Sequence, residues 1–282
     1  MTEFIASTSS SPQVETARGQ LINVGHLFLK PNPTIVLTSP ILRHQIARRT
    51  LKFLVLIPCF KEMGNLQKLV PHIIDTYPDS HVLVVDDYSK DLTDYVMDRL
   101  AKKYPSRITY LCRKTNPSYA ASLIEGFNFA AGKNFDKIVQ MDADGSHSVS
   151  DIKQLVASNA NITIGSRYKH GSKVVHVPVL RQAVSIVGNV YISILWRTTI
   201  RDKTNGFRSF DQPTISKILE FRKSSEGFAV QIELLHYLMQ FSDILISEVP
   251  ITFEFRTIGE SKFDLGKLLE AFRIATNLTT RR

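Results

Sequence analysis

Residues 53–165 alternate between short apolar runs and segments with helical spacing. The runs at 53–57, 81–85, 108–111, 136–141 and 162–165 are too short for helices and carry little polar interruption, as strands buried on both faces do. Between them, 65–76, 91–103, 119–131 and 151–158 place apolar residues at intervals of three and four, which predicts helices. Strands alternating with helices predict right-handed βαβ units and a mostly parallel α/β sheet. After Arg167 the rhythm changes. The stretch 174–199 opens at Pro178 and spaces Val184, Val187, Tyr191, Ile194 and Leu195 as one helical stripe, which suits a core-facing helix or one lying on a membrane surface. A further helix is expected at 228–241, a strand pair around 248–253 and a last helix ending in Arg281-Arg282. Before the rhythm starts, residues 1 to about 20 read as a flexible tail. Extended runs at 27–29 and 34–37 are broken by Pro31, Pro33 and Pro40, and 41–52 reads as a solvated basic lead-in, with a short helix as the alternative.

With 282 residues, 43% hydrophobic and 22% charged, the chain can bury the core of one large α/β domain or two small ones. Its net charge of +9 points to an anionic partner: nucleotide, lipid phosphate, membrane surface or nucleic acid. Cys59 and Cys112 have no Cys or His at metal-ligand spacing, which suits a reducing compartment. No apolar run reaches the length of a spanning helix, and Glu3 stands where a secretory leader carries basic residues, so a soluble or peripheral protein is expected.

The candidate chemistry sits where the expected strands end. Lys137-Ile-Val-Gln-Met-Asp142-Ala-Asp144-Gly145 climbs into two carboxylates and stops at glycine. Residues two apart on a strand face the same side, so Asp142 and Asp144 would present their oxygens together. Such like charges repel unless a hard cation such as Mg2+ or Mn2+ lies between them. The plainer alternative is a turn at Asp144-Gly145 with Asp142 capping the next segment. Pro58-Cys-Phe60-Lys-Glu62, Asp86-Asp87 and Gly165-Ser-Arg167-Tyr168 come after three other strands. In a parallel sheet these ends gather on one edge, where ligands bind. Carboxylates there suit ribose hydroxyls and base amides, and an arginine fork suits phosphate.

In that order the motifs resemble the family 2 glycosyltransferases of GT-A fold, and among them the dolichol- or polyprenol-phosphate mannose synthases. The resemblance covers roughly 51–265, with 1–50 an extension outside it and 266–282 a basic C-terminal helix. Arg181 with Ser185, Thr204-Asn-Gly206-Phe-Arg208, Gly227-Phe228 leading to Glu233, and Arg256-Thr-Ile-Gly259-Glu-Ser261-Lys262 sharpen it. It implies that Pro58, Phe60, Glu62, Val85 and Asp87 hold the nucleoside and that Asp142 and Asp144 hold Mg2+ or Mn2+, with Ala143 close to the nucleotide. It also implies Arg167, Arg256 and Lys262 around the sugar diphosphate, and Arg181 and Ser185 on the acceptor's lipid phosphate. Asp144, Arg181, Arg256 and Lys262 would carry the catalysis. The sequence departs from the pattern at Phe60 (usually tyrosine), Lys61 (asparagine), Tyr88 (often glycine), Asn116-Pro-Ser118-Tyr119 (glycine-richer) and Ser146, where a glutamine can complete the metal shell.

The implied reaction is an inverting transfer of a hexose, mannose from GDP-mannose first, to a polyprenyl or dolichyl phosphate at the cytoplasmic face of a membrane. The protein would lie there as a peripheral enzyme, through its basic surface or a membrane-anchoring partner subunit, with nucleic acid left out. The alternatives are a soluble transferase with a hydroxyl acceptor, for which Asp202 and Glu233 are the spare acids, and a non-catalytic nucleotide-sugar-binding module.

Overall fold

The computed structural model describes residues 13–15, 21–23, 51–255 and 265–280. The chain divides into two units, Met1–Arg49 and Thr50–Arg282. In the first, β1 (Gln13–Glu15) and β2 (Leu21–Asn23) pair antiparallel, with Val14 opposite Ile22. Residues 13–15 are therefore strand where a flexible tail was expected. The runs at 27–29 and 34–37, and residues 41–50 of the basic segment, lie outside the described residues.

The second unit is built on a seven-stranded sheet. In chain order it contains β3 (Phe53–Cys59), α1 (Met63–Thr76), β4 (Ser80–Asp86), α2 (Thr93–Lys103), β5 (Ile108–Cys112), α3 (Tyr119–Ala130), β6 (Lys137–Gln140), α4 (Ile152–Ala157) and β7 (Ile162–Ser166). Then come β8 (Lys173–Val175), α5 (Val179–Trp196), β9 (Arg208–Asp211), α6 (Gln212–Glu220), α7 (Val230–Leu238), β10 (Ile246–Pro250), β11 (Thr252–Glu254) and α8 (Leu265–Thr280). The strand order is β10-β7-β9-β6-β3-β4-β5, and β9 alone runs against its neighbours. The expected strand pair near 248–253 is two strands of different sheets: β10 pairs with β7, and β11 with β8.

Strand β3 shows why its run is apolar throughout. Phe53, Val55 and Ile57 pack on one face against α1, α2 and α4, while Leu54 and Leu56 pack on the other against α3, α6 and α7. A strand covered on both faces has no position for a polar side chain. Ser118 starts α3 by accepting the Ala121 N–H (3.0 Å), and Asp211 starts α6 in the same way from Thr214 (3.0 Å). Strand β9 and α6 had no counterpart in the sequence-based expectation.

Helix α5 is inside out. Arg181, Ser185, Asn189 and Ser193 recur every four residues, and the last three bond inward. Ser185 accepts from Tyr168 Oη (2.6 Å), Asn189 Nδ2 donates to Thr204 Oγ1 (3.2 Å), and Ser193 Oγ donates to Ile200 O (3.3 Å). The opposite side is apolar and exposed: Leu180 is 73% exposed, Val187 63% and Ile194 74%. So Val187 and Ile194 do not face the core, while Tyr191 packs on Phe272 of α8 at 5.1 Å and bonds Thr276 Oγ1 (2.9 Å). The helix buries apolar surface at Ile192 and Trp196, with Leu195 half-buried beside them, against α7 and α8. Its 18 residues, at mean hydropathy 1.3, make it the one described helix long and apolar enough to cross a membrane. The expectation that no run reached that length failed because the inward polar stripe interrupts the sequence without shortening the helix.

Candidate active site

Parallel register brings the strand ends together: Pro58 pairs with Val85, Cys59 with Asp86, and Leu56 with Gln140. Beyond them opens a cavity of about 570 Å3 lined by Pro58, Phe60, Glu62, Asp87, Pro117, Ser118, Tyr119, Ser122, Asp142, Ala143, Asp144 and Phe228, among others. Seven of the residues expected at the site thus share one cavity. Val85 is fully buried in the core behind it. Arg167, Arg181 and Ser185 lie outside this lining, and Arg256 and Lys262 fall outside the described residues.

The Asp87 end of the cavity is held by polar contacts under the floor. Asp87, almost fully buried, accepts from Ser122 Oγ (2.7 Å) and pairs with Arg113. Asp86 accepts from Tyr110 Oη (3.0 Å) and from Ser89, whose Oγ in turn accepts the Lys61 N–H (2.7 Å). Lys61 (φ 56°), Tyr88 (φ 56°) and Lys90 (φ 52°) sit in the left-handed region in these loops. Non-glycine residues cost free energy there and persist where surrounding contacts fix them.

The carboxylate pair is displayed differently from the expectation. Strand β6 ends at Gln140, so Asp142 and Asp144 are brought to the cavity by the turn after it rather than by strand alternation. Gly145 closes that turn at φ 76°, and Asp144 Oδ1 accepts the Ser146 N–H (3.0 Å). The turn alternative and the carboxylate pair therefore coexist. His147 is buried beneath, stacked on Phe207 at 4.7 Å. Its Nε2 lies 3.0 Å from Asn205 Oδ1, and its Nδ1 accepts the Asp142 N–H (3.4 Å). It orients the turn from below.

The segment 204–208 forms the rest of that base. Arg208 is almost completely buried, and its guanidinium donates to the carbonyls of Asn205 (2.8 Å), Gln231 (2.9 Å) and Lys203 (2.7 Å). Burial pushes it down to about 10, so it stays charged at neutral pH. Gly206 leaves little room for a side chain: an added Cβ would stand 3.2 Å from Gln140 Nε2 and 3.3 Å from both Asp142 Oδ1 and Gln231 Nε2, so these side chains would have to give way.

Two of the expected groups have structural partners. Arg167 makes a forked pair with Asp202 (Nε–Oδ2 2.7 Å, Nη2–Oδ1 2.7 Å) and donates to Thr204 Oγ1 (2.8 Å). Burial alone would discharge both groups. Their mutual attraction outweighs it, holding Asp202 below and Arg167 above its ordinary value. Glu233 accepts from Ser224 N (2.7 Å) and Oγ (2.8 Å). On α5, Arg181 lies over the Phe255 ring at 4.7 Å, one turn from Ser185.

Sequence reasoning missed Tyr119 and Phe228 as lining residues. Their rings stack at 4.2 Å and also wall a second cavity of about 290 Å3, into which Glu226 and Glu270 face. Burial and then the Asp142 charge push the Tyr119 phenol well above its ordinary value. In the sequence, the departure from a glycine-rich loop at 116–119 pointed to Tyr119 and the Gly227-Phe228 motif to Phe228.

A mostly parallel sheet whose strand ends surround a cavity lined by Asp142 and Asp144 matches the GT-A fold. The model of the family "Glycosyl transferase family 2" matches residues 54–219. The chain is 34% identical over 232 residues to the polyprenol monophosphomannose synthase of Mycolicibacterium smegmatis, covering 81% of this chain and 87% of that one. It is 33% identical over 223 residues to the undecaprenyl-phosphate mannosyltransferase of Micrococcus luteus (78% and 91% covered). Glucosyl-3-phosphoglycerate synthase from Mycobacterium tuberculosis, solved with Mn2+, UDP and phosphoglyceric acid, shares the fold at TM-score 0.59 and 15% identity, over 89% of this chain and 84% of that one. The chain belongs to glycosyl transferase family 2 and is a glycosyltransferase.

Proposed function

We propose that the protein transfers mannose from GDP-mannose to the phosphate of a polyprenyl or dolichyl phosphate, with inversion, at a membrane surface. The cavity that gathers Phe60, Glu62, Asp87, Asp142 and Asp144 carries this reading. Likeness to two polyprenyl-phosphate mannosyltransferases over about four-fifths of the chain supports the substrates.

The donor set suits a hard divalent cation. Asp142 and Asp144 offer carboxylate oxygens, and the described residues hold no cluster of three His, Cys, Asp or Glu side chains. Two carboxylates leave further positions for diphosphate oxygens and water, as Mg2+ and Mn2+ prefer. Bound there, the cation would neutralise charge that develops on the leaving diphosphate.

An acceptor phosphate oxygen attacks the anomeric carbon from the face opposite the nucleotide. The new C–O bond forms as the old one breaks, and its electron pair leaves with GDP. A phosphate monoester, with a second pKa of about 6, is largely dianionic at neutral pH and needs no general base. That fits the site, since Asp202 and Glu233 are each bonded into the structure. Arg181 and Ser185 would receive the acceptor phosphate. Arg167, Arg256 and Lys262 would face the diphosphate side. The exposed apolar stripe of α5 would lie on the bilayer, with Lys169 and Lys173 beside anionic headgroups.

The test is transfer of labelled mannose from GDP-mannose to a short polyprenyl phosphate, with Mn2+ or with chelator. Metal-dependent label in the lipid phase, abolished by Asp144→Ala and reduced by Arg181→Ala, is expected. Donor hydrolysis without lipid product would overturn the acceptor.

A further inference from the structure

We propose that Tyr119 is a positioning residue for Asp142, its phenol proton aimed at that carboxylate by two buried glutamine amides. This rests on the reading of Asp142 as a cation ligand. Tyr119 Oη accepts from Gln231 Nε2 at 2.7 Å and from Gln140 Nε2 at 3.1 Å. A phenol oxygen has two lone pairs and one proton. With both lone pairs taken, the proton is left for Asp142 Oδ1, which lies 3.3 Å away.

Nothing in this cluster is loosely held. Gln140 and Gln231 are both fully buried, on β6 and α7. Their carbonyl oxygens have no protein partner, so the arrangement costs free energy that another contact must offset. Turning either amide would place its oxygen against the phenol and take the proton from Asp142. The ring is clamped by Phe228, and the missing side chain of Gly206 lets the amides and Asp142 converge. The phenol therefore fixes Oδ1 of Asp142, while Oδ2 lies 4.0 Å from the buried His147 Nε2.

Tyr119→Phe keeps the ring stack and removes only the hydroxyl. Mn2+ binding in the presence of GDP, read by electron paramagnetic resonance, should weaken about tenfold, as when an outer-shell partner of a metal ligand is lost. Excess Mn2+ should restore kcat, with the KM for the lipid acceptor unchanged, a split that a merely structural phenol would not produce. Gln231→Met frees one phenol lone pair and should weaken Mn2+ several-fold, which keeps the test open should Tyr119→Phe fail to fold. Mn2+ affinity within twofold of wild type in a folded variant overturns the role of Tyr119 alone. Wild-type protein that binds no Mn2+ with GDP overturns the metal reading and this inference with it.

Discussion

Replacing Asp202 by asparagine removes one negative charge from a buried pair. Asp202 is fully buried and receives three donors from Arg167, its two forked N–H groups at 2.7 Å and its backbone N–H at 3.0 Å. An asparagine can meet part of that geometry but none of the charge, so a guanidinium is left in the interior uncompensated. Breaking a buried pair this way costs about 3–5 kcal/mol, or roughly 6–20 °C in melting temperature for a unit of this size. Urea and thermal unfolding followed by circular dichroism would measure it. The pH dependence gives a second check. The Asp202 carboxyl is depressed in the folded state, so its contribution is present above the unfolded value near 4 and is lost as pH falls through the folded one. The gap between wild type and Asp202→Asn should therefore be full at neutral pH and close in strong acid. A loss below about 1 kcal/mol would class the pair with exposed ion pairs and refute the reasoning. A variant of undiminished stability without transferase activity would make Asp202 a catalytic acid or base.

Two further outcomes are expected. Gly206→Ala should cost about 1–3 kcal/mol in urea unfolding and reduce donor affinity, because its methyl meets Asp142 and both glutamine amides at 3.2–3.3 Å. Leu180→Glu combined with Val187→Glu should lower co-sedimentation with anionic polyprenyl-phosphate vesicles and leave binding of free GDP unchanged, since neither residue lines the cavity. Equal co-sedimentation would remove α5 from the membrane contact.

Much of the nucleotide half was legible because burial on both faces leaves a plain mark. Strand β3 reads as an unbroken apolar run and ends at Pro58 and Phe60, where the cavity begins. The site's base was not legible. Strand β9 begins Arg-Ser-Phe, which looks like a loop, yet Arg208 and Ser209 are buried because carbonyl groups meet them there. Helix α5 stayed open between a core-facing and a surface helix for a related reason. Periodicity finds an apolar stripe, but it does not say which side of the helix the protein occupies. Tyr119 was hard to see because its partners come from two segments far apart in the chain, Gln140 and Asp142 at the end of β6 and Gln231 on α7.

The direction of β9 limits how far this enzyme can be divided. Strand β7 has two neighbours in the sheet, β10 and β9, and β6 touches it only through β9. A polypeptide ending before Arg208 would contain both carboxylates, yet it would have no strand joining β7 to β6. The sheet edge that carries the cavity is therefore not a portable module. As the chain emerges from the ribosome, the seven-stranded sheet can be completed only after β9 has been made, and β9 then lies between two strands synthesised earlier.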